Sequence, residues 1–186
     1  FDGMSCGQYT LNKLGIPVEK YYASEIDKFA IKIAKKNFPN TIHLGDVKGI
    51  DVRTRNMNDD IDLLLGGSPC QSFSFAGNQL NFDDPRGKLF FEFVRLKDKL
   101  KPKYFLLENV KMKKEYQDII TKYLGVKPIE INSKYCSAQN RVRLYWTNIP
   151  IETNYSDKGL VLQDILEEDG ISNPLMNSKD DKAHCI

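Results

Sequence analysis

Apolar and polar positions alternate along this chain in two periods, and the two periods take turns. "KYYASEI" (Lys20 to Ile26) is aromatic-rich, strand-like and ends in acids. "DKFAIKIAKKNF" places Phe29, Ile33, Ala34 and Phe38 at helical spacing, with Asp27 as its cap. "TIHLGD" predicts a short strand. "IDLLLGG" is a continuous apolar run bounded by glycines, as expected of a strand buried on both faces. "PRGKLFFEFVRLKDKL" puts Leu89, Phe90, Phe93, Leu96 and Leu100 on one side of a helix, with Pro85 in its first turn. "KYFLLENV" reads as a strand, "KEYQDIITKYLG" as a helix closed by Gly125, and "VKPIEIN" and "RLYWTNI" as two more strands. After about Pro150 the pattern weakens: "LVLQDILEEDG" predicts one short helix, and no element is evident from Ile171 onward.

Strand–helix–strand alternation predicts an α/β fold with a mainly parallel sheet and helices on both faces. Ligands of such folds bind at the carboxyl ends of the strands. The polar residues just past each strand are therefore the candidates for chemistry: Glu25, Asp46, the Pro69-Cys70-Gln71 turn and Glu108-Asn109.

Composition narrows the class without deciding it. The chain has 186 residues, 41% of them hydrophobic and 28% charged, which suits one domain with a real core. A net charge of +2 neither demands nor excludes a nucleic-acid partner. Lysines cluster between Lys97 and Lys114 and read as a solvated face, while acids gather around Glu167 to Asp169 and at Asp180-Asp181. Cys6, Cys70, Cys136 and Cys185 form no CxxC pair, and with two histidines no zinc spacing arises. Scattered cysteines fit a reducing cytoplasm, no apolar run reaches the length of a membrane span, and no signal peptide is visible. The start at Phe1 and the end at "AHCI" read as those of a piece of something longer.

Six constellations carry candidate chemistry, each beside a plainer reading. "FDGMSCG" is a glycine turn ahead of a helix; it offers backbone N–H groups but is not GxGxxG. Glu25 could accept ribose hydroxyls or simply pair at the surface. Asp46 could hold an exocyclic amine or cap a turn. Cys70, in "GGSPCQSFSFAG", is either a nucleophile in a tight loop or a small buried hydrophobe. Glu108 ends an apolar strand, where burial favours a protonated carboxyl, the alternative being a salt bridge. Arg141 and Arg143, two apart in "QNRVRLYW", face one side of a strand and suit an oxygen-bearing ligand, or protect an edge strand.

Taken in order, these residues resemble the cytosine-C5 DNA methyltransferases, of the phage and bacterial type, over Phe1 to about Asn148. The Pro-Cys-Gln of "GGSPCQSFS", the Glu-Asn-Val of "LLENV" and the Gln-x-Arg-x-Arg of "QNRVR" are the specific parts, and "FDGMSCG" is similar to the first motif of the vertebrate de novo enzymes. The resemblance implies a Rossmann-like S-adenosylmethionine-dependent methyltransferase fold. Phe1 would lie against the adenine and Asp2, Gly3, Met4, Ser5 and Cys6 would line the methionine part. Glu25 would bind the ribose, Ile26 and Val47 would flank the adenine and Asp46 would take its amine, with Pro69 and Leu89 completing the pocket. The cytosine would be flipped from the duplex. Cys70 would attack C6, with Gln71 beside it, Glu108 on N3 and the amine, and Arg143 on O2 assisted by Arg141. The loop after Cys70 is similar to the mobile loop that closes on DNA.

The same resemblance sets departures and rivals. Residues 1–150 would be the catalytic and cofactor-binding domain, lacking the strand that the family places ahead of Phe1. Residues 151–186 would be a linker and the start of a target-recognition region. The expected protein is a monomer acting on double-stranded DNA in the cytoplasm, nucleoid-associated, with neither metal nor membrane. The alternatives are a tRNA cytosine-C5 methyltransferase, a catalytically silent regulator, and a generic nucleotide-binding protein with a structural Cys70.

Overall fold

A computed structural model describes residues 1–52, 60–68, 88–152, 154–165 and 183–184. The elements follow in the order α1 (Cys6–Lys13), β1 (Tyr22–Ala23), α2 (Lys28–Asn37), β2 (Ile42–His43), β3 (Leu63–Gly67), α3 (Lys88–Leu100), β4 (Tyr104–Val110), α4 (Lys114–Leu124), β5 (Ile129–Asn132), β6 (Gln139–Asn140), β7 (Val142–Thr147) and β8 (Ala183–His184). Single 3-10 turns occupy Val47–Gly49, Ser133–Tyr135 and Leu162–Ile165.

The main sheet has the order β3-β4-β7-β5. β3 and β4 are parallel, and β7 is antiparallel to both β4 and β5. Three of its four strands thus run one way and β7 alone is reversed, so the expected α/β fold holds with a mixed sheet. β1 and β2 form a separate parallel pair. The apolar side of α3 supplies Phe90 and Phe93 to a core that includes Leu107, Ile120, Leu144 and Trp146. β3 passes close beneath this helix. A Cβ on Gly66 would stand 2.7 Å from the Phe93 ring, so only glycine allows that approach. Gly125 ends α4 at φ 75°, the left-handed cap its position predicts.

Several sequence expectations are corrected. β3 is only half-buried over Leu63 to Leu65. Among the described residues its outer edge pairs with no further strand and borders a cavity of about 430 Å³, whose lining includes Phe1, Tyr22, Leu44, Leu64 and Leu96. β1 is shorter than Lys20–Ile26: among the described residues its ladder pairs only Tyr22 with Ile42 and Ala23 with His43 of β2. In α2, Asp27 caps by accepting from Phe29 N and Ala30 N at 2.8 Å each, but only Ala34 is buried while Phe29 and Ile33 lie exposed. The described part of "LVLQDILEEDG" is one 3-10 turn. Ala183–His184 pairs in parallel with Gln139–Asn140, a partnership made by a distant segment that no local pattern announces. Tyr155 packs on Tyr135 at 5.2 Å between centroids, and Lys158 N–H donates to Tyr135 O at 3.0 Å, so residues just past Pro150 lie against the domain.

Candidate active site

The strand-end acids lie along one edge, and the first five residues join them. Gly67, the last residue of β3, is opposite Glu108 of β4 in the parallel ladder. On its other side the Gly67 N–H donates to Phe1 O at 3.4 Å, and Asp2 N–H donates to Ser24 O at 3.2 Å. The N-terminal turn therefore spans the carboxyl ends of β1 and β3.

Glu25 organises that turn. Its Oε2 accepts from the Phe1 nitrogen at 2.8 Å and Gly3 N–H at 2.9 Å, and its Oε1 from Ile26 N–H at 2.8 Å and Asp27 N–H at 3.0 Å. Burial pushes the carboxyl up, but these four donors prevail and hold it down at about 2. Asp2 is held on both oxygens: Tyr21 OH donates to Oδ1 at 2.7 Å, and Ser5 Oγ–H donates to Oδ2. Ser5 is buried at φ 63° and precedes α1, so the Asp2 bond and the Ser5 N–H to Asp2 O bond fix a strained residue. Burial, then the adjacent Asp2 carboxylate, push the Tyr21 phenol well above its usual range, so it stays a donor.

The next wall is apolar. Val47 and Ile50 are buried with Leu96, and Phe1 and Leu89 pack against them. Phe1 and Val47, two of the three residues expected at an adenine ring, thus meet in one cluster with Leu89, expected elsewhere in the same pocket. Asp46 is exposed and caps the 3-10 turn through Lys48 N–H at 3.0 Å, the plainer of its two readings. Ile26 is 74% exposed, Met4 and Cys6 also face solvent, and none of the three belongs to that cluster.

The third part of the edge is charged. Arg143 Nε stands 3.0 Å from Glu108 Oε1 and Arg141 Nη2 stands 3.9 Å from the same atom. The two arginines share a face, as their spacing predicts. The Arg143 Nε–H is not aligned for a hydrogen bond, so the contact is an ion pair, while Nη1 donates to Val142 O at 2.8 Å. Glu108 is 32% exposed, so the deep burial expected for a protonated carboxyl is incomplete. Across the strand, burial first and Glu108 second push the Tyr145 phenol up.

Pro69, Cys70 and Gln71 lie outside the described residues. Their approach does not. Ser68 is 6% exposed, and Asn109, 1% exposed, donates through Nδ2 to Ser68 Oγ at 3.1 Å. Asn109 Oδ1 also accepts from Val110 N–H at 2.8 Å. The segment leading to Cys70 is thereby tied to the strand that carries Glu108. Asn109 is one of the strand-end candidates, and its anchoring role, unlike its candidacy, is signalled by a polar residue set inside an apolar strand. Tyr21 and Arg95 carry no such signal, because their partners lie 19 and 45–48 residues away.

Among the described residues no group of three His, Cys, Asp or Glu could hold a metal, and no helix is long and apolar enough to cross a membrane. The donors and apolar walls do suit a nucleoside with a charged tail: a glycine turn, an acid presented by backbone amides, and a cluster for a flat ring.

Comparison with known proteins fits this arrangement. The family model described as C-5 cytosine-specific DNA methylase matches residues 1–182. The chain is 39% identical over 178 residues to type II methyltransferase M1.ScrFI of Lactococcus lactis subsp. cremoris, covering 89% of this chain and 44% of that protein. It is 42% identical over 113 residues to orphan methyltransferase M.SPRI of Bacillus phage SPR, covering 60% of this chain and 25% of that protein. A crystal structure of a DNA modification methyltransferase encoded within an E. coli prophage superposes with TM-score 0.57 at 30% identity, over 68% of this chain and 39% of that one. The chain spans less than half the length of each of these relatives.

Proposed function

Because this chain belongs to the C-5 cytosine-specific DNA methylase family, we propose that it supplies the catalytic part of a DNA cytosine-C5 methyltransferase. The observation that carries the proposal is the charged triangle of Glu108, Arg141 and Arg143 beside the anchored Ser68 that leads into Cys70. S-adenosylmethionine, when bound, provides an electrophilic methyl group.

The chain's residues do the rest. Phe1 and Val47, with Leu89 beside them, offer an apolar wall for adenine; Ile26 would flank the ring, Asp46 would take its amine, and Pro69 would belong to the same pocket. Asp2 to Cys6 line the methionine part, and Glu25 orders the turn beside the ribose. A cytosine carbon is a weak nucleophile, so Cys70 adds to C6 as thiolate and Gln71 stands next to it. Glu108 holds N3 and the exocyclic amine, and Arg143, with Arg141, holds O2. These oriented charges stabilise the electron density that the thiolate pushes into the ring. After methyl transfer the C5 proton leaves, Cys70 departs and the aromatic ring is restored. The base must be out of the helix for C6 to be reached, so the substrate is flipped double-stranded DNA. Residues 1–150 are proposed as the catalytic domain, 151–186 as the lead into a recognition region, and the working unit as a cytoplasmic monomer.

Incubation of the intact protein with methyl-labelled S-adenosylmethionine and either duplex DNA or tRNA tests this. Label on C5 of DNA cytosine is expected. Label confined to tRNA, or cofactor binding without transfer to either, would overturn it in favour of an RNA enzyme or a silent regulator.

A further inference from the structure

We infer that Arg95 is a positioning residue that sets the cofactor turn from its main-chain side. The inference rests on the methyltransferase reading, through the assignment of Asp46 and Val47 to the adenine pocket. Arg95 lies on α3, the helix that follows the segment carrying Cys70. Its Nη1 donates to Ile50 O at 3.0 Å and its Nη2 to Val47 O at 3.0 Å. Glu92, three residues earlier, accepts from Nε at 2.7 Å and holds the guanidinium plane. The two carbonyls belong to the first residue of the Val47–Gly49 turn and to Ile50, the residue that caps its end; the bonds of the turn run from Gly49 N to Asp46 O at 3.0 Å and from Ile50 N to Val47 O at 3.3 Å.

That turn is short, and on its own it is weak: two 3-10 bonds and the Asp46 cap hold it. Arg95 adds two charge-assisted bonds to it from a helix 45 or more residues away. The neighbouring Leu96 packs on the Val47 and Ile50 side chains from the same helix. Side chains and main chain of the turn are thus both referenced to α3. A lysine cannot replace this contact, because an ammonium is a point donor and lacks the planar fork that reaches two carbonyls at once. The structure assigns Arg95 no contact with a reacting atom, so its effect is on cofactor affinity and not on the chemical step.

The test uses the intact protein with Arg95→Met, which keeps the apolar stem, and Arg95→Lys. Dissociation constants for S-adenosylmethionine are measured by calorimetry, and amide exchange at Gly49 and Ile50 is measured without cofactor. Both variants are expected to bind at least about tenfold more weakly, equivalent to about 1.4 kcal/mol. Faster exchange at the two amides, a raised cofactor KM, and an unchanged DNA KM and saturated kcat should accompany this. A folded Arg95→Met protein with wild-type affinity would overturn the inference. If Arg95→Met does not fold, Glu92→Gln serves: a severalfold weaker affinity supports the role of the clamp, and wild-type affinity contradicts it. Failure of the unmodified protein to bind the cofactor would instead overturn the reading beneath it.

Discussion

Arg143 Nε and Glu108 Oε1 stand 3.0 Å apart across the antiparallel β4–β7 ladder, where Val110, two residues beyond Glu108, is opposite Arg143. The pair is diagonal, so both side chains rise on one face of the sheet. Its partners come from strands joined only late in the chain, which makes the contact a product of the fold and not of local sequence.

Glu108→Gln should therefore disable chemistry more than structure. A reduction of about 10²- to 10⁴-fold in kcat is the scale for losing a group of this kind. Cofactor affinity should stay within a small factor, because Glu25 and the Val47 cluster are untouched. Steady-state transfer assays with a binding titration check both halves.

Asn109→Ala removes the tie between Ser68 and β4. Asn109 is 1% exposed, and Ser68 Oγ loses a donor in a buried place. A destabilisation of about 1–3 kcal/mol is expected from denaturant unfolding. Transfer should fall further than stability does, since the segment leading to Cys70 loses its anchor beside Glu108.

Tyr21→Phe tests the support of the N-terminal turn. The variant keeps the ring but leaves Asp2 Oδ1 without the phenol donor. Cofactor binding should weaken and the melting temperature should drop by several degrees, for a loss of about 1–2 kcal/mol. Tyr21→Phe with unchanged affinity would show that Ser5 alone holds Asp2.

Glu25 predicts a particular acid sensitivity. Its folded pKa of about 2 lies below the ordinary 4.5, so the native state favours the charged form. The stability this gives is fully present above pH 4.5, declines as pH falls below that value, and is gone near 2. Glu25→Gln should lower stability at neutral pH, because an amide can accept from only one pair of the four donors, and should flatten the decline between those limits. Chemical denaturation at stepped pH checks the slope.

The alternation of periods 2 and 3.6 made the order of elements legible, and the rule of strand ends located Glu25, Asp46 and Glu108 on one edge. The spacing of Arg141 and Arg143 revealed that they share a face. What was not legible depends on distance along the chain. The reversal of β7, the pairing of Ala183–His184 with β6, and the Arg95 clamp are made by partners far apart in sequence. The exposure of Phe29 and Ile33 escaped a periodic reading because the pattern states which residues share a side, and not whether that side finds a partner.

The most direct measurement concerns Cys70. Long duplex DNA in which every cytosine is 5-fluorocytosine contains any recognition sequence, and fluorine cannot leave C5 as the proton does. With S-adenosylmethionine, the intact protein should form a denaturation-stable adduct that maps to the peptide bearing Cys70, and Cys70→Ala should form none while still binding cofactor. An adduct that persists in Cys70→Ala would contradict the account, as would no adduct from a preparation that methylates ordinary DNA.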